Sequence, residues 1–364
     1  MEESKAARNV ARATDRPLQA WWLVVAIEFM ERAETVMPTF TAVRLFNEDG
    51  RRVSRVVTMN VDELDPGDVV IRTRFAAVNF KDARAVSGAG NVVKRFPCIP
   101  GIEMSGVVAS SADARFREGD RVTVQGGAEF GIRRDGAYAE YVRVPAAWVH
   151  AVTAEFDEFT TMALGIGAYT SSVAIERMMA LGVTPQSGPI AVTGATGGCG
   201  SFAVDILAGL GFEVVAITGK ASEADYLRSI GAARVIGRAE IVSGPKPLEE
   251  QRWAGCIDTV GGAPLDAILR SLKKGGVVCA FGNAAGETFT TSIYPFILRS
   301  AMLIGINANH PVDQRGTAWS RLATDMKPRH LDRIIQTIPF AELKTYCDQL
   351  IKGGARGRTV VQFQ

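Results

Sequence analysis

Apolar positions change their spacing three times along this chain. Between residues 39 and 152, short runs such as TAVRLF, DVVIRTRFAAV, GVVAS, GDRVTVQG and AEYVRV are separated by Gly, Pro and Asp. That pattern predicts strands and turns closing into a compact, partly open β-barrel. From residue 156 to 181 the spacing turns helical, in TMALGIGAYTSSVAIERMMAL. Beyond it, EVVAITG, ARVIG, GCIDTVG, GVVCAFG and SAMLIGIN read as short buried strands, alternating with helical segments such as ADYLRSIG and APLDAILRSLKKGG. Strand and helix alternating in this way predict a parallel sheet covered on both faces. From about residue 309 an amphipathic helical pattern is followed by AELKTYCDQLIKGG, a helix with a glycine stop, and by RTVVQF, a strand expected to rejoin the barrel.

Residues 189–207, PIAVTGATGGCGSFAVDIL, join the two regimes: an apolar run breaks into glycines and re-emerges with helical spacing. The stretch reads as strand, phosphate loop and helix. Gly194, Gly197 and Gly200 stand at G-x-x-G-x-x-G spacing with Gly198 between them, so the backbone can turn sharply and lie against a pyrophosphate at the helix N-terminus. A glycine cluster alone also fits a tight turn. Here the strand before it and the helix after it point to a nucleotide.

At 364 residues the chain exceeds one ordinary core, and two domains are expected: a barrel from residues 37–160 and 309–364, and an inserted nucleotide-binding domain from 161–308. The fold class is therefore α/β, a doubly wound Rossmann sheet plus a partly open barrel. Residues 1–36 are set apart as an extension, because Met37 makes a natural start. Their apolar run AWWLVVAIEFM, broken by Glu28, is about half the roughly 20 residues a bilayer span needs. A net charge of +2 implies no nucleic-acid or membrane field. Five cysteines without C-x-x-C spacing exclude a disulfide framework, and a reducing cytoplasm fits best.

Eight stretches, in order, resemble one family: VNFKD, FPCIPGIEMSG, DGAYAEYVRV, VTGATGGCGSFAV, DYLRSIGAARVI, WAGCIDTVGG, PFILRSAMLIGI and GRTVV. They are similar to the medium-chain dehydrogenase/reductase superfamily, its zinc-free quinone-oxidoreductase branch, and more narrowly the bacterial NADPH-dependent acryloyl-CoA reductases. The resemblance implies a GroES-like barrel beside the Rossmann domain and reduction of a short 2-enoyl-CoA to the saturated thioester. An NADPH:quinone or 2-alkenal reductase shares fold and hydride, and some relatives of this fold bind NADPH without being enzymes. It also implies a homodimer joined at the edge strand of residues 300–307, too apolar to stay exposed.

The resemblance places further residues. Asn79 and Lys81 fall where the family meets the nicotinamide end and are the catalytic candidates; Phe80, where relatives carry tyrosine, would wall that pocket. Thr196, Gly197, Gly198 and Cys199 occupy pyrophosphate-loop positions, and Asn283 and Ile297 later cofactor contacts. Gly353 replaces a polar residue. At the end of the second strand an NAD enzyme places an acid on the ribose. Here Thr218, Gly219 and Lys220 supply none, and Lys220, Ser222 and Arg238 are candidate partners of a 2′-phosphate. Arg133 and Arg134, in the loop GIRRDG, could meet coenzyme A phosphates, although a charged turn is usually only solvated. The zinc motif reads Gly101, Ile102, Glu103, and His150, His310 and His330 are the only histidines. Glu103 is expected to be structural, and no metal is expected.

Overall fold

The computed structural model describes residues 39–127, 129–241, 244, 246–308 and 316–364. The extension 1–36, His310 and the expected boundary at 309 lie outside the described residues. A hairpin of β1 (Phe40–Glu48) and β2 (Arg51–Met59) opens the barrel region. It is followed by β3 (Val69–Val78), helix α1 (Phe80–Val86), β4 (Glu103–Ser111), β5 (Arg121–Gln125), β6 (Tyr141–Val144) and β7 (Val149–Ala151). Helix α2 (Glu158–Ala180) begins at Asp157, whose carboxylate accepts the Thr160 amide at 2.6 Å as an N-cap.

The nucleotide half consists of β8 (Ile190–Thr193), α3 (Gly198–Gly209), β9 (Val214–Thr218), β10 (Arg234–Gly237), β11 (Trp253–Asp258), β12 (Leu272–Ala280) and β13 (Met302–Gly305) among its helices. Its six strands are all parallel, in the order β10-β9-β8-β11-β12-β13. Alternate residues of β8 and β9 serve opposite faces. Ile190, Val192, Val214 and Ala216 enter one core, and Ala191, Val215 and Ile217 the other. Strand order reverses between β8 and β11, and such a switch point opens a crevice at the strand C-termini.

The chain returns to the barrel through β14 (Ile335–Pro339) and β15 (Arg358–Gln362). β15 pairs antiparallel with β3, giving the sheet β14-β15-β3-β4-β5-β7, with β6 also on β3. The expectation for RTVVQF is met. Helix Gly316–Ala323 buries Ala318 and Leu322 in the nucleotide-side core, and its Trp319 ring stacks on Tyr169 of α2. The amphipathic pattern there is real, but its apolar face matches α2 rather than the barrel. Helix α2 serves both halves, since Met162 and Ala163 pack on Ala77 of β3 and Val360 of β15 while Ala168 to Met178 line the nucleotide core.

Candidate functional site

The glycine loop leaves β8 at Gly194, whose φ of +59 suits glycine; a Cβ there would lie 2.4 Å from Thr259 Oγ1. A Cβ on Gly200 would lie 2.3 Å from the Gly194 carbonyl, so α3 backs directly onto the loop. Gly197 is the N-cap of α3, and its carbonyl takes the Ser201 amide at 2.8 Å as the first helical bond. The amides of Gly198, Cys199 and Gly200 therefore lie outside the helical ladder, an arrangement that favours an anion. Burial pushes the Cys199 thiol up to about 11, which disfavours the thiolate that a nucleophile would need.

The crevice walls are pinned by hydrogen bonds that local sequence does not announce. Thr193 Oγ1 donates to Asp258 Oδ1 at 2.7 Å and accepts the Thr259 amide at 3.0 Å. Asp258 Oδ2 takes the Gly261 amide at 2.9 Å, and burial raises the pKa of this carboxyl. Between these walls opens a cleft of about 260 Å³, lined among others by Gly194, Thr196, Thr218, Gly219, Lys220 and Arg238. Six expected cofactor residues are thus brought together. Gly353 lines the same cleft from the barrel side.

At the far end of the cleft, the sequence 218–220 carries no acid. The Arg238 guanidinium lies over Gly219, where a Cβ would stand 2.9 Å from its Nη2. Lys220 bonds its amide to Thr218 Oγ1 at 3.0 Å and its ammonium to the Ala355 carbonyl, and burial lowers its pKa. Ser222, Asn283 and Ile297 are exposed, Ile297 by 62%, and none of the three lines this cleft.

On the barrel side, Asn79 is the N-cap of α1, and its backbone amide donates to Asp82 Oδ2 at 3.0 Å. Its side chain is turned inward. Nδ2 donates to Asp82 Oδ2 at 2.9 Å and to Glu103 Oε1 at 2.7 Å, while Oδ1 accepts from Arg358 Nη1 at 2.7 Å. Arg358 Nη2 also donates to Glu103 Oε1 at 2.5 Å, with the guanidinium and the carboxylate 2% and 0% exposed. Glu103 Oε2 takes the Ile166 amide at 2.8 Å. That amide is free because α2 breaks at Gly165, where φ is 44 and a Cβ would lie 2.2 Å from Arg358 Nη2 and 2.5 Å from Glu103 Oε2. Asn79 accordingly works as a half-buried joint between α1, β4 and β15. Phe80 and Lys81 follow on the first turn of α1, Phe80 exposed by 37% and Lys81 half-buried.

This network does not fit a zinc ion. Ile102 offers no donor atom, Glu103 is already held by a cation, and among the described residues no group of three or more His, Cys, Asp or Glu could hold a metal. It does suit a dinucleotide. Arg358 Nε is buried without a partner, and the same side chain runs beside the phosphate loop, its Cδ 3.7 Å from where a Gly198 Cβ would stand. The Gly357 amide donates to the Thr196 carbonyl at 2.8 Å, tying β15 to that loop. Arg134 is engaged elsewhere, donating to the Pro66 carbonyl and lying 5.3 Å over the Trp148 ring; Arg133 is exposed. Arg358 is the site residue that the motifs did not single out. Its signals were its place in GRTVV, one of the eight stretches that carry the resemblance, and an arginine at the start of an apolar strand.

The alcohol dehydrogenase GroES-like domain family matches residues 65–154, and the zinc-binding dehydrogenase family matches residues 198–324. A probable acrylyl-CoA reductase of Escherichia coli K12 is 38% identical, over 88% of this chain and 99% of its own. The acrylyl-CoA reductase of Ruegeria pomeroyi is 37% identical, over 86% and 96%, and a putative quinone oxidoreductase of Bacillus subtilis 36%, over 85% and 94%. Among solved structures, E. coli K-12 YhdH with bound NADPH superposes with a TM-score of 0.85 at 38% identity, over 88% of this chain and 99% of its own. B. subtilis YhfP with bound NAD gives 0.84 at 34%, over 89% and 99%. On these matches, the chain belongs to the medium-chain dehydrogenase/reductase superfamily, together with the bacterial acrylyl-CoA reductases.

Proposed function

We propose that this protein is an NADPH-dependent reductase of the carbon–carbon double bond in a short 2-enoyl-CoA, turning acryloyl-CoA into propanoyl-CoA in the crevice between barrel and nucleotide sheet. The observation that carries this reading is the nearly full-length match to two acrylyl-CoA reductases. NADPH, when bound, supplies a hydride for the β-carbon of the thioester. The chain's own residues bind and orient. The free amides at the start of α3 and the orphan Arg358 Nε–H are the donors for a pyrophosphate, and Arg238 and Lys220 are the cations for a 2′-phosphate. Asn79, clamped by Arg358 and Glu103, fixes the first turn of α1 and with it Phe80 and Lys81. Fixed geometry is the main contribution to rate, and the Lys81 ammonium steadies charge developing on the thioester oxygen. Phe80 has no hydroxyl, so the α-carbon takes its proton from water.

Steady-state turnover with NADPH tests the reading. Acryloyl-CoA should be reduced in preference to a simple quinone or a 2-alkenal; preference for a quinone would instead favour the function named for the B. subtilis relative. NADPH binding without turnover on any of the three would leave a non-enzymatic nucleotide binder. The proposed assembly is a homodimer. β13 is an edge strand whose Met302, Leu303 and Ile304 are half-buried, and exposed Ile293, Ile297 and Leu298 precede it. A monomer mass by light scattering at micromolar concentration would exclude it. The proposed compartment is the reducing cytoplasm, in keeping with five free cysteines. No helix among the described residues is long and apolar enough to cross a membrane.

A further inference from the structure

An acid does stand close to the ribose end of the cleft. Glu223 closes the short turn Ala221–Glu223, three residues beyond Lys220. A free carboxylate beside Lys220 would draw that ammonium to itself and repel a 2′-phosphate, the arrangement that suits an unphosphorylated ribose. In this chain the carboxylate is not free. Arg356 Nη1 lies 3.3 Å from Glu223 Oε2, and the Arg356 guanidinium sits 4.7 Å from the centre of the Tyr226 ring. Tyr226 is itself fixed, its hydroxyl donating to Ser201 Oγ on α3 at 2.8 Å. Arg356 comes from the other half of the molecule, in the segment that leads into β15. That same segment lines the cleft with Gly353 and offers Lys220 the Ala355 carbonyl.

We infer that Arg356 is a positioning residue for coenzyme choice: reaching across from the barrel, it neutralises Glu223 and leaves Lys220 and Arg238 available to the 2′-phosphate of NADPH. The inference rests on the NADPH reading above and deepens it. An ion pair with one partner 53% exposed contributes little to stability. Its effect belongs in discrimination between two coenzymes that differ by one dianion. With Arg356 gone, Glu223 keeps its charge, and Lys220 is close enough to feel it.

Direct binding of NADPH and NADH, by calorimetry or by nucleotide fluorescence, tests this without turnover. Arg356→Gln should weaken NADPH about tenfold and leave NADH within twofold, with an unchanged melting temperature. Arg356→Lys, which keeps the charge, should stay within about threefold of the parent. Glu223→Gln in the Arg356→Gln background should restore NADPH binding, because the repelling group is gone. Equal weakening of both coenzymes, or a double variant as weak as Arg356→Gln alone, would overturn the inference. Parent protein that binds NADPH yet reduces no enoyl-thioester would refute the proposed reaction while leaving the role of Arg356 intact.

Discussion

Glu103→Gln is the sharpest test of the buried network that holds α1 in place. The substitution keeps the shape and the Oε1 acceptor, so Arg358 Nη2 and Asn79 Nδ2 can still bond there. It removes the only carboxylate, among the described residues, in salt-bridge contact with Arg358, a guanidinium 2% exposed. It also turns an amide NH₂ toward the Ile166 N–H, which now donates to Glu103 Oε2 at 2.8 Å. An uncompensated buried charge costs about 3–5 kcal/mol, and a donor facing a donor forfeits about 1–3 kcal/mol more. The expected loss is therefore about 4 kcal/mol or more, a large share of the roughly 5–15 kcal/mol that holds a typical domain. Arg358→Met should cost about 3–5 kcal/mol for the mirror-image reason, leaving Glu103 with only the Asn79 and Ile166 donors. The double variant removes both charges together. It should be at least about 2 kcal/mol more stable than the sum of the two losses predicts. Urea titration followed by circular dichroism and tryptophan fluorescence supplies the four free energies. Single losses below about 1 kcal/mol, or additivity within about 0.5 kcal/mol, would refute the view that this pair carries the joint.

Other consequences can be measured separately. Burial pushes the Asp82 carboxyl up from 3.8 to about 6 against the hydrogen bonds from Asn79. Between those pH values the native state holds a proton that the unfolded chain has lost. This group's contribution to stability is thus full below about pH 4 and falls by about 3 kcal/mol as pH rises through 6; Asp82→Asn should flatten that part of a stability–pH curve, and an unchanged slope would count against it. Arg238→Ala should raise the KM for NADPH at least about tenfold, the loss of one charge-assisted bond, and leave the KM for NADH alone. If the preference survives, the guanidinium over Gly219 is not the phosphate partner. Phe80→Tyr should change acryloyl-CoA turnover less than about tenfold, a barrier difference near 1.4 kcal/mol. A hundredfold rise would show that a proton donor is missing.

The phosphate loop was legible because two of its glycines answer a local demand. Gly194 needs a positive φ, and Gly200 must approach a carbonyl six residues earlier in the chain. The parallel sheet was legible for a similar reason, since alternating buried strands and helices are a short-range pattern. Arg358 was not, because its partners Glu103 and Asn79 stand 255 and 279 residues away, and nothing near it separates a buried arginine from a solvated one. Gly165 was hidden by its neighbours. Ala, Leu and Ile around it read as unbroken helix, and only the folded structure shows that side chains from β4 and β15 occupy the space a Cβ would need. The same limit applies to the helix Gly316–Ala323. An amphipathic face says that a helix will be buried, not which core will bury it.

The position of β15 in the barrel sheet also sets the order in which a newborn chain can finish folding. The ribosome makes Glu103 first and its counter-ion 255 residues later. At about 5–20 residues per second that interval is roughly 13–50 s. Every strand of the nucleotide sheet, from Ile190 to Gly305, emerges within it. The coenzyme-binding half can thus assemble around its own parallel strands while the barrel sheet still ends at β3, with β14 and β15 yet to be made and Glu103 lacking its counter-ion. For that period the barrel, the half made first, is the part of the nascent polypeptide open to chaperones and proteases, and the late arrival of one arginine closes it.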